Sequence, residues 1–252
     1  MNIAIITGAS SGLGKEYVEA VYNRYPLLDE IWVVARRKER LDELKASLGE
    51  KIRVISADIT KEEDINNINS LLIENRANVK ILINNAGFGK IGEFKDLSIT
   101  ENAGMVRLNC EALTVVTNLA LPYMEKGSKI INVCSIASFA PNTRLAVYSS
   151  TKAYVMSLSR ALRDELKSNG INVLAVCPGP MDTEFLAVAN IFKGTSHTFD
   201  TLPRVKPKNV AVASLKASDK NRAVYTNHIL YKIYRVLAKI LPLSLVMKMC
   251  RA

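Results

Sequence analysis

Metal chemistry has little to work with in this sequence. The chain has only two histidines, His197 and His228, and neither has a second ligand at metal-binding spacing, so no metal site is expected. Its four cysteines, Cys110, Cys134, Cys177 and Cys250, are scattered and form no CxxC pair. That argues against a zinc site or a disulfide scaffold and suits a reducing, cytoplasmic setting. No run of about 18 uninterrupted apolar residues is present, which argues against a spanning helix. The opening MNIAIITGAS has no basic stretch, long apolar region or cleavage site, so no secretory signal is expected. Flexible linkers, repeats and low-complexity stretches are missing too, and residues 1–252 read as one domain.

Acidic residues run out near the end of the chain. From Lys220 onward there are seven basic residues and no acidic one. The formal charge of the whole chain is +10, from 34 basic and 24 acidic residues, so the first 219 residues hold 27 against 24, or +3. The basic character belongs mostly to the tail, and nucleic-acid binding by the body is not expected.

What is present is an alternation. Short apolar, β-branched runs at 3–6, 31–35, 53–57, 80–84, 129–134, 171–176 and 222–226 read as strands. They are almost wholly apolar, as strands are when both faces of a sheet are covered. Helical patterns lie between them, near 12–24, 38–48, 61–75, 100–125, 148–168 and 207–218. Strand–helix alternation predicts right-handed crossovers and a parallel α/β sheet. Ligands of such sheets bind beyond the carboxyl ends of the strands.

The first strand runs into TGASSGLG, residues 7–14. Gly8, Gly12 and Gly14 permit a sharp turn and close approach of a phosphate, and the helix that follows offers free N–H groups and its positive dipole end. Ser10, Ser11 and Leu13 belong to the same turn. The sequence lacks the first glycine and the Ser/Thr of a P-loop. The second strand ends at Arg36 and Arg37. A carboxylate there would hold the ribose hydroxyls of NAD, whereas an arginine suits a 2′-phosphate, so NADP(H) is expected over NAD(H), with Arg36 at the strand tip as the contact. Arg37, Lys38 and Arg40 read as a solvated helix face.

Asp58, followed by Ile59 at the third strand's end, either accepts a hydrogen bond from adenine or opens the next loop. The fourth strand ends in NNAG. Asn84 ties strands together or touches ligand, while Asn85, Ala86 and Gly87 allow close backbone approach. Ser135 follows the fifth strand; Pro178, Gly179 and then Thr183 follow the sixth. YSSTK places Tyr148 and Lys152 at i and i+4, on one helix face.

In order and spacing, TGASSGLG, NNAG, Ser135, YSSTK and PGPMDT resemble the compact single-domain branch of the short-chain dehydrogenase/reductase superfamily, over residues 1–185 or so. The resemblance implies a Rossmann-like, doubly wound sheet of about seven strands in the order 3-2-1-4-5-6-7, with helices on both faces. It implies a Ser135–Tyr148–Lys152 catalytic group, with Asn109 in VRLNCEA anchoring a proton-relay water. It also implies a small-molecule carbonyl or alcohol substrate, no metal, and a homodimer or homotetramer. The YxxxK spacing favours carbonyl reduction or alcohol oxidation over C=C reduction. Tyrosine ionises near a pKa of about 10, and a neighbouring Lys152 would lower that value. Ser149 and Ser150 are expected to carry no chemistry. The rival reading is a dinucleotide-binding regulator without turnover.

Residues 186–206 are long enough to form a lid over the substrate. Beyond them, 228–252 begins with a basic amphipathic helix that ends at Pro242. Lys232, Arg235 and Lys239 share one side, and Ile229, Leu230, Ile233, Val236, Leu237, Ile240 and Leu241 fill the other. Such a segment packs on the protein's own body, on a second subunit, or on an anionic membrane surface, and the sequence leaves these open.

Overall fold

The computed structural model describes residues 1–192, 194 and 196–249. Lys193 and Thr195 of the segment expected to form a lid, and Cys250, Arg251 and Ala252 of the tail, lie outside the described residues.

The strands are β1 (Asn2–Thr7), β2 (Glu30–Ala35), β3 (Ile52–Ser56), β4 (Asn78–Asn84), β5 (Lys129–Val133), β6 (Asn172–Val176) and β7 (Val224–Tyr225). All pair in parallel, in the order 3-2-1-4-5-6-7. The helices are α1 (Gly12–Arg24), α2 (Lys38–Leu48), α3 (Glu62–Glu74), α4 (Ile99–Val106), α5 (Leu113–Ala120), α6 (Ala146–Glu165), α7 (Glu184–Val188), α8 (His197–Thr201), α9 (Pro207–Asp219), α10 (Ile229–Ile240) and α11 (Leu243–Met249).

Alternate residues of each strand feed two cores, one per face. On one face Ile6, Val33, Ile83 and Val176 pack under Tyr17 and Val21 of α1, Leu41 of α2 and Leu215 of α9. On the other, Ile5, Trp32, Leu82 and Val173 pack under Ile68 and Leu72 of α3 and Val116 of α5. Covering both faces is why the strands carry no polar alternation. The covering helices are themselves tied together. Tyr17 and Ser214 share a buried hydrogen bond of 2.7 Å between α1 and α9. Asp219, at the end of α9, accepts from Arg24 Nε at 2.6 Å and Tyr25 OH at 2.7 Å and pairs with Lys129 of β5.

Two helices depart from the pattern read in the sequence. The single helix expected over 100–125 is α4, a π-helical turn at Arg107–Ala112, α5, and a 3₁₀ turn at Leu121–Tyr123 that carries Pro122. The π turn inserts one residue without breaking the helix, and no glycine, proline or other breaker marks it in the sequence. The other departure is in α10. Its apolar residues do not form one face. Tyr231 is buried, and Tyr234 and Ala238, with Leu241 just past the helix end, pack around Ala140 and Val246 of α11, whereas Ile229, Ile233, Val236 and Ile240 stay exposed.

Candidate active site

The carboxyl ends of β1, β2, β4, β5 and β6 open into one cleft of about 940 Å³, at the upper end of what small-molecule sites occupy. Almost every residue singled out in the sequence lines it: Gly8, Ser10, Ser11, Gly12 and Leu13 from the first turn, Arg36, Asp58 and Ile59, then Asn85, Ala86 and Gly87, Ser135, Tyr148 and Lys152, and finally Pro178, Gly179 and Thr183. Two of the expected residues sit behind the wall instead. They are Gly14 and Asn109.

The first turn is built by backbone crowding. Gly8 has φ +67°, and a Cβ there would sit 2.8 Å from Ala86 Cα. A Cβ on Gly14 would collide with the Gly8 carbonyl oxygen. Gly14 therefore contributes by letting α1 pack against the turn, not by touching a ligand. Asn85 locks the same turn to β4, donating from Nδ2 to the Thr7 and Gly8 carbonyls at 3.1 and 3.2 Å. Thr7 Oγ1 accepts from the backbone N–H of Asn85 and of Ala86.

This end suits a dinucleotide. Ser11, the residue before α1, makes no side-chain cap, so the first-turn N–H groups of α1 keep their donors for a ligand. Arg36 is exposed just past the end of β2. Arg37 is exposed, as the sequence suggests, yet its guanidinium is engaged. Its guanidinium donates to Ser11 Oγ at 2.8 Å and Ser10 Oγ at 3.2 Å, and pairs with Glu184 at 2.8 Å. It holds the Glu184 carboxyl below the usual range, and it straps the glycine turn to the start of α7. No local pattern marks this, because Glu184 lies 147 residues away.

Asp58 is partly committed to its own loop. Its Oδ1 accepts from Thr60 N–H at 3.1 Å and from Thr60 Oγ1 at 2.7 Å. Burial pushes its carboxyl up, but those bonds and the charges of Arg36 and Lys61 outweigh burial and leave it below the ordinary value. Asn84 takes the strand-tying role: Nδ2 donates to Thr117 Oγ1 and Asn132 Oδ1, both at 2.9 Å.

At the other end of the cleft, Tyr148 and Lys152 share the inward face of α6 and are both buried. The Lys152 ammonium lies 5.8 Å from the Tyr148 ring centre and donates to the Val133 carbonyl at 2.9 Å. Ser135 caps a short 3₁₀ turn, its Oγ accepting from the Ala137 N–H at 3.1 Å, and its hydroxyl shares the cleft wall with Tyr148. Burial pushes the phenol up to about 12, and the nearby Ser135 hydroxyl opposes that. The direction is opposite to the lowering expected from Lys152. The reason is burial of both groups, which also pulls the Lys152 ammonium below its ordinary value.

Asn109 sits within the π turn and is buried. Its Nδ2 donates to Phe88 O at 2.8 Å and Thr151 Oγ1 at 3.0 Å, and its Oδ1 accepts from Phe88 N–H at 3.0 Å. Both amide hydrogens are thus used within the protein. Ser149 and Ser150 bond back to the Ala146 carbonyl, at 3.2 and 2.8 Å.

The wall beyond Tyr148 is apolar. Leu145, Phe185, Phe199 and Leu202 line it, joined by Tyr231 and Tyr234 of α10. Phe185 packs on Tyr148 with ring centres 5.6 Å apart. The aromatic residues of α10 were not read from the sequence as part of the site.

Comparison with known proteins agrees with this layout. The family model described as short chain dehydrogenase matches residues 2–193. A short-chain dehydrogenase from Sphingobium yanoikuyae in complex with NADPH superposes with a TM-score of 0.79 at 30% identity, covering 96% of this chain and 97% of that one. The bulky-bulky ketone specific alcohol dehydrogenase from Comamonas testosteroni gives a TM-score of 0.74 at 31% identity, covering 96% and 95%. A 3-ketoacyl-(acyl-carrier-protein) reductase from Brucella melitensis complexed with NADH gives a TM-score of 0.78 at 25% identity, covering 89% and 96%. With its strand order, its glycine turn and the family match over most of its length, the chain belongs to the short-chain dehydrogenase family of oxidoreductases.

Proposed function

We propose that the protein is an NADPH-preferring carbonyl reductase, working on ketones with sizeable apolar substituents and, in reverse, on the corresponding secondary alcohols. The observation that carries this reading is the convergence of Ser135, Tyr148 and buried Lys152 on one wall of the cleft, at its apolar end.

The bound dinucleotide would supply the hydride. The chain's own residues handle the oxygen. Tyr148, with its phenol pushed up to about 12, is protonated at neutral pH and is an acid ready to donate to a carbonyl oxygen. Ser135 hydrogen-bonds that same oxygen and fixes its direction. Lys152 is held by Val133 O and has two further hydrogens for the ribose hydroxyls. Asn109 acts as a positioning residue, since its amide clamps Phe88 and Thr151 and so sets the turn at Gly87 beside Lys152.

Preference for the phosphorylated cofactor rests on Arg36 just past the end of β2, exposed where its guanidinium would meet a 2′-phosphate. The solved relatives hold either form, so Arg36 and not the likeness supports it. The segment 186–206 is proposed as the substrate cover: Ala189 and Ile191 are buried with Tyr148 and Leu145, and the Ile91 N–H donates to the Ala189 carbonyl at 3.0 Å. A homodimer or homotetramer is part of the same proposal, supported by exposed Val106, Val115 and Tyr154 on α4, α5 and α6, and sedimentation checks it.

The deciding experiment follows NADPH absorbance with a panel of bulky ketones and acyl thioesters, wild type against Tyr148→Phe. Turnover in wild type alone supports the reading. NADPH binding without turnover of any substrate would instead favour the regulator. The pH profile is a second check. With the phenol protonated across pH 7–9, the rate of ketone reduction should not fall in that window.

A further inference from the structure

We infer that α10 and α11 form a docking surface for an anionic lipid bilayer, with the apolar outer stripe of α10 as the inserted face. At 100° per residue, Ile229, Ile233, Val236 and Ile240 fall at i, i+4, i+7 and i+11 and make one continuous stripe. All four are exposed, from 49% for Ile233 to 73% for Ile240. Leu243 and Leu245 of α11 are exposed too, at 52% and 47%.

The inward face of α10 is already satisfied. Tyr231 is 2% exposed. Its ring lies where a Cβ on Gly179 would be, and its hydroxyl donates to the Pro203 carbonyl at 2.6 Å. The outer stripe therefore cannot turn inward without breaking that anchor. Covering it requires something from outside.

Charge decides what that is. Lys232 and Lys239, both exposed, flank the stripe on one side, with Arg235 half-buried behind them. From Lys220 to the end the chain holds seven basic residues and no acid. A second copy of this surface would bring like charges together. A bilayer bearing anionic lipids offers the apolar phase and the opposite charge in one plane, each nearby Lys or Arg adding attraction. Among the described residues no helix is long and apolar enough to cross a membrane, so the segment lies on the surface.

The docking has a consequence for the cleft. Leu230, Tyr231 and Tyr234 of the same helix line it, so a docked α10 places the apolar end of the cleft beside the lipid phase and gives lipid-dissolved ketones a short path to Tyr148. That consequence rests on the reductase reading, whereas the docking does not.

The test is flotation of the full chain with phosphatidylcholine vesicles, with and without phosphatidylserine. Wild type should float with the phosphatidylserine vesicles, stay behind with pure phosphatidylcholine, and release as salt is raised. Ile233→Glu/Ile240→Glu should float at least about tenfold less. Lys232→Glu/Lys239→Glu should lose the preference for phosphatidylserine. NADPH binding and melting temperature of each variant report that the fold and the cleft survive, so loss of flotation is read on an intact protein. A variant that does not fold is replaced by Ile233→Ser/Ile240→Ser. Wild type that ignores phosphatidylserine vesicles overturns the proposal, as does a stripe variant that floats like wild type. A lipid-free wild-type dimer that the stripe substitution splits, with no flotation, assigns the face to a second copy instead. Because flotation needs no turnover, a failed ketone screen leaves this result standing.

Discussion

The two ends of the cleft are made of different material. The dinucleotide end is main chain: strand tips and the start of α1, packed so closely that side-chain atoms have no room at Gly8 or Gly14. The substrate end is side chain: Phe185, Phe199, Leu202, Tyr231 and Tyr234, supplied by segments after β6. Main-chain contacts demand particular residue types at particular spacings, because only glycine fits where the backbones cross. A wall of side chains demands only volume and apolarity. One end should therefore break with a methyl group, while the other should change its selectivity before it loses its shape.

The largest expected effect falls where the two ends meet. Tyr148→Phe removes the acid without changing the ring that packs on Phe185. Turnover should fall by about 10²–10⁴-fold, while NADPH binding, measured by fluorescence, stays within a few-fold of wild type. A mutant that keeps most of its activity would mean that the proton comes from elsewhere. Next comes Gly14→Val. Its side chain would have to displace the Gly8 carbonyl, and forced overpacking costs roughly 1–3 kcal/mol. Thermal melting should drop and NADPH affinity should fall together, although Gly14 does not line the cleft. If melting drops and affinity holds, the main-chain account of this end is wrong.

This division also decides how much was legible in the sequence. The strands followed from apolar runs, and their order from what the family resemblance of TGASSGLG, NNAG and PGPMDT implies, motifs that are backbone requirements written locally. Arg37 was not legible. A long side chain at a helix start reads as solvated until its partners are known, and here they are Ser10, Ser11 and Glu184. Asn109 was picked out by family pattern, but its commitment to Phe88 and Thr151 depends on a π turn that no glycine, proline or other breaker marks in the sequence. The facing of α10 was hidden in another way. Composition put tyrosine on neither side, yet Tyr231 and Tyr234 face inward and leave isoleucines outside. That choice is made by tertiary contact with Gly179 and Pro203, not by hydropathy.

A smaller effect tests the cofactor end by charge. Arg36→Asp replaces a cation facing the proposed 2′-phosphate by an anion. Hydrogen bonds to charged groups contribute about 1.5–3 kcal/mol, so the ratio of NADPH to NADH affinity should fall by roughly 10–100-fold. An unchanged ratio would move recognition to Arg37. In that case Arg37 would have to leave Glu184, and Glu184→Gln should raise NADPH affinity while leaving NADH affinity alone.

The smallest effect probes whether the ends are as separate as their materials suggest. Tyr231→Phe keeps the ring over Gly179 and removes only the hydroxyl that donates to Pro203. One such bond contributes about 0.5–1.5 kcal/mol, so melting should fall by only a few degrees, roughly 2–4 °C per kcal/mol at this size. The loosened wall should raise KM for the bulkiest ketones and leave small ketones and NADPH Kd unaffected. Gly179 is the point at issue, because it lies under Tyr231 and also lines the dinucleotide cleft. Its N–H is held separately, by Asn227 Oδ1 at 3.1 Å. If that bond alone keeps the turn in place, cofactor affinity is untouched; a rise in NADPH Kd would show that the aromatic wall helps shape the main-chain end.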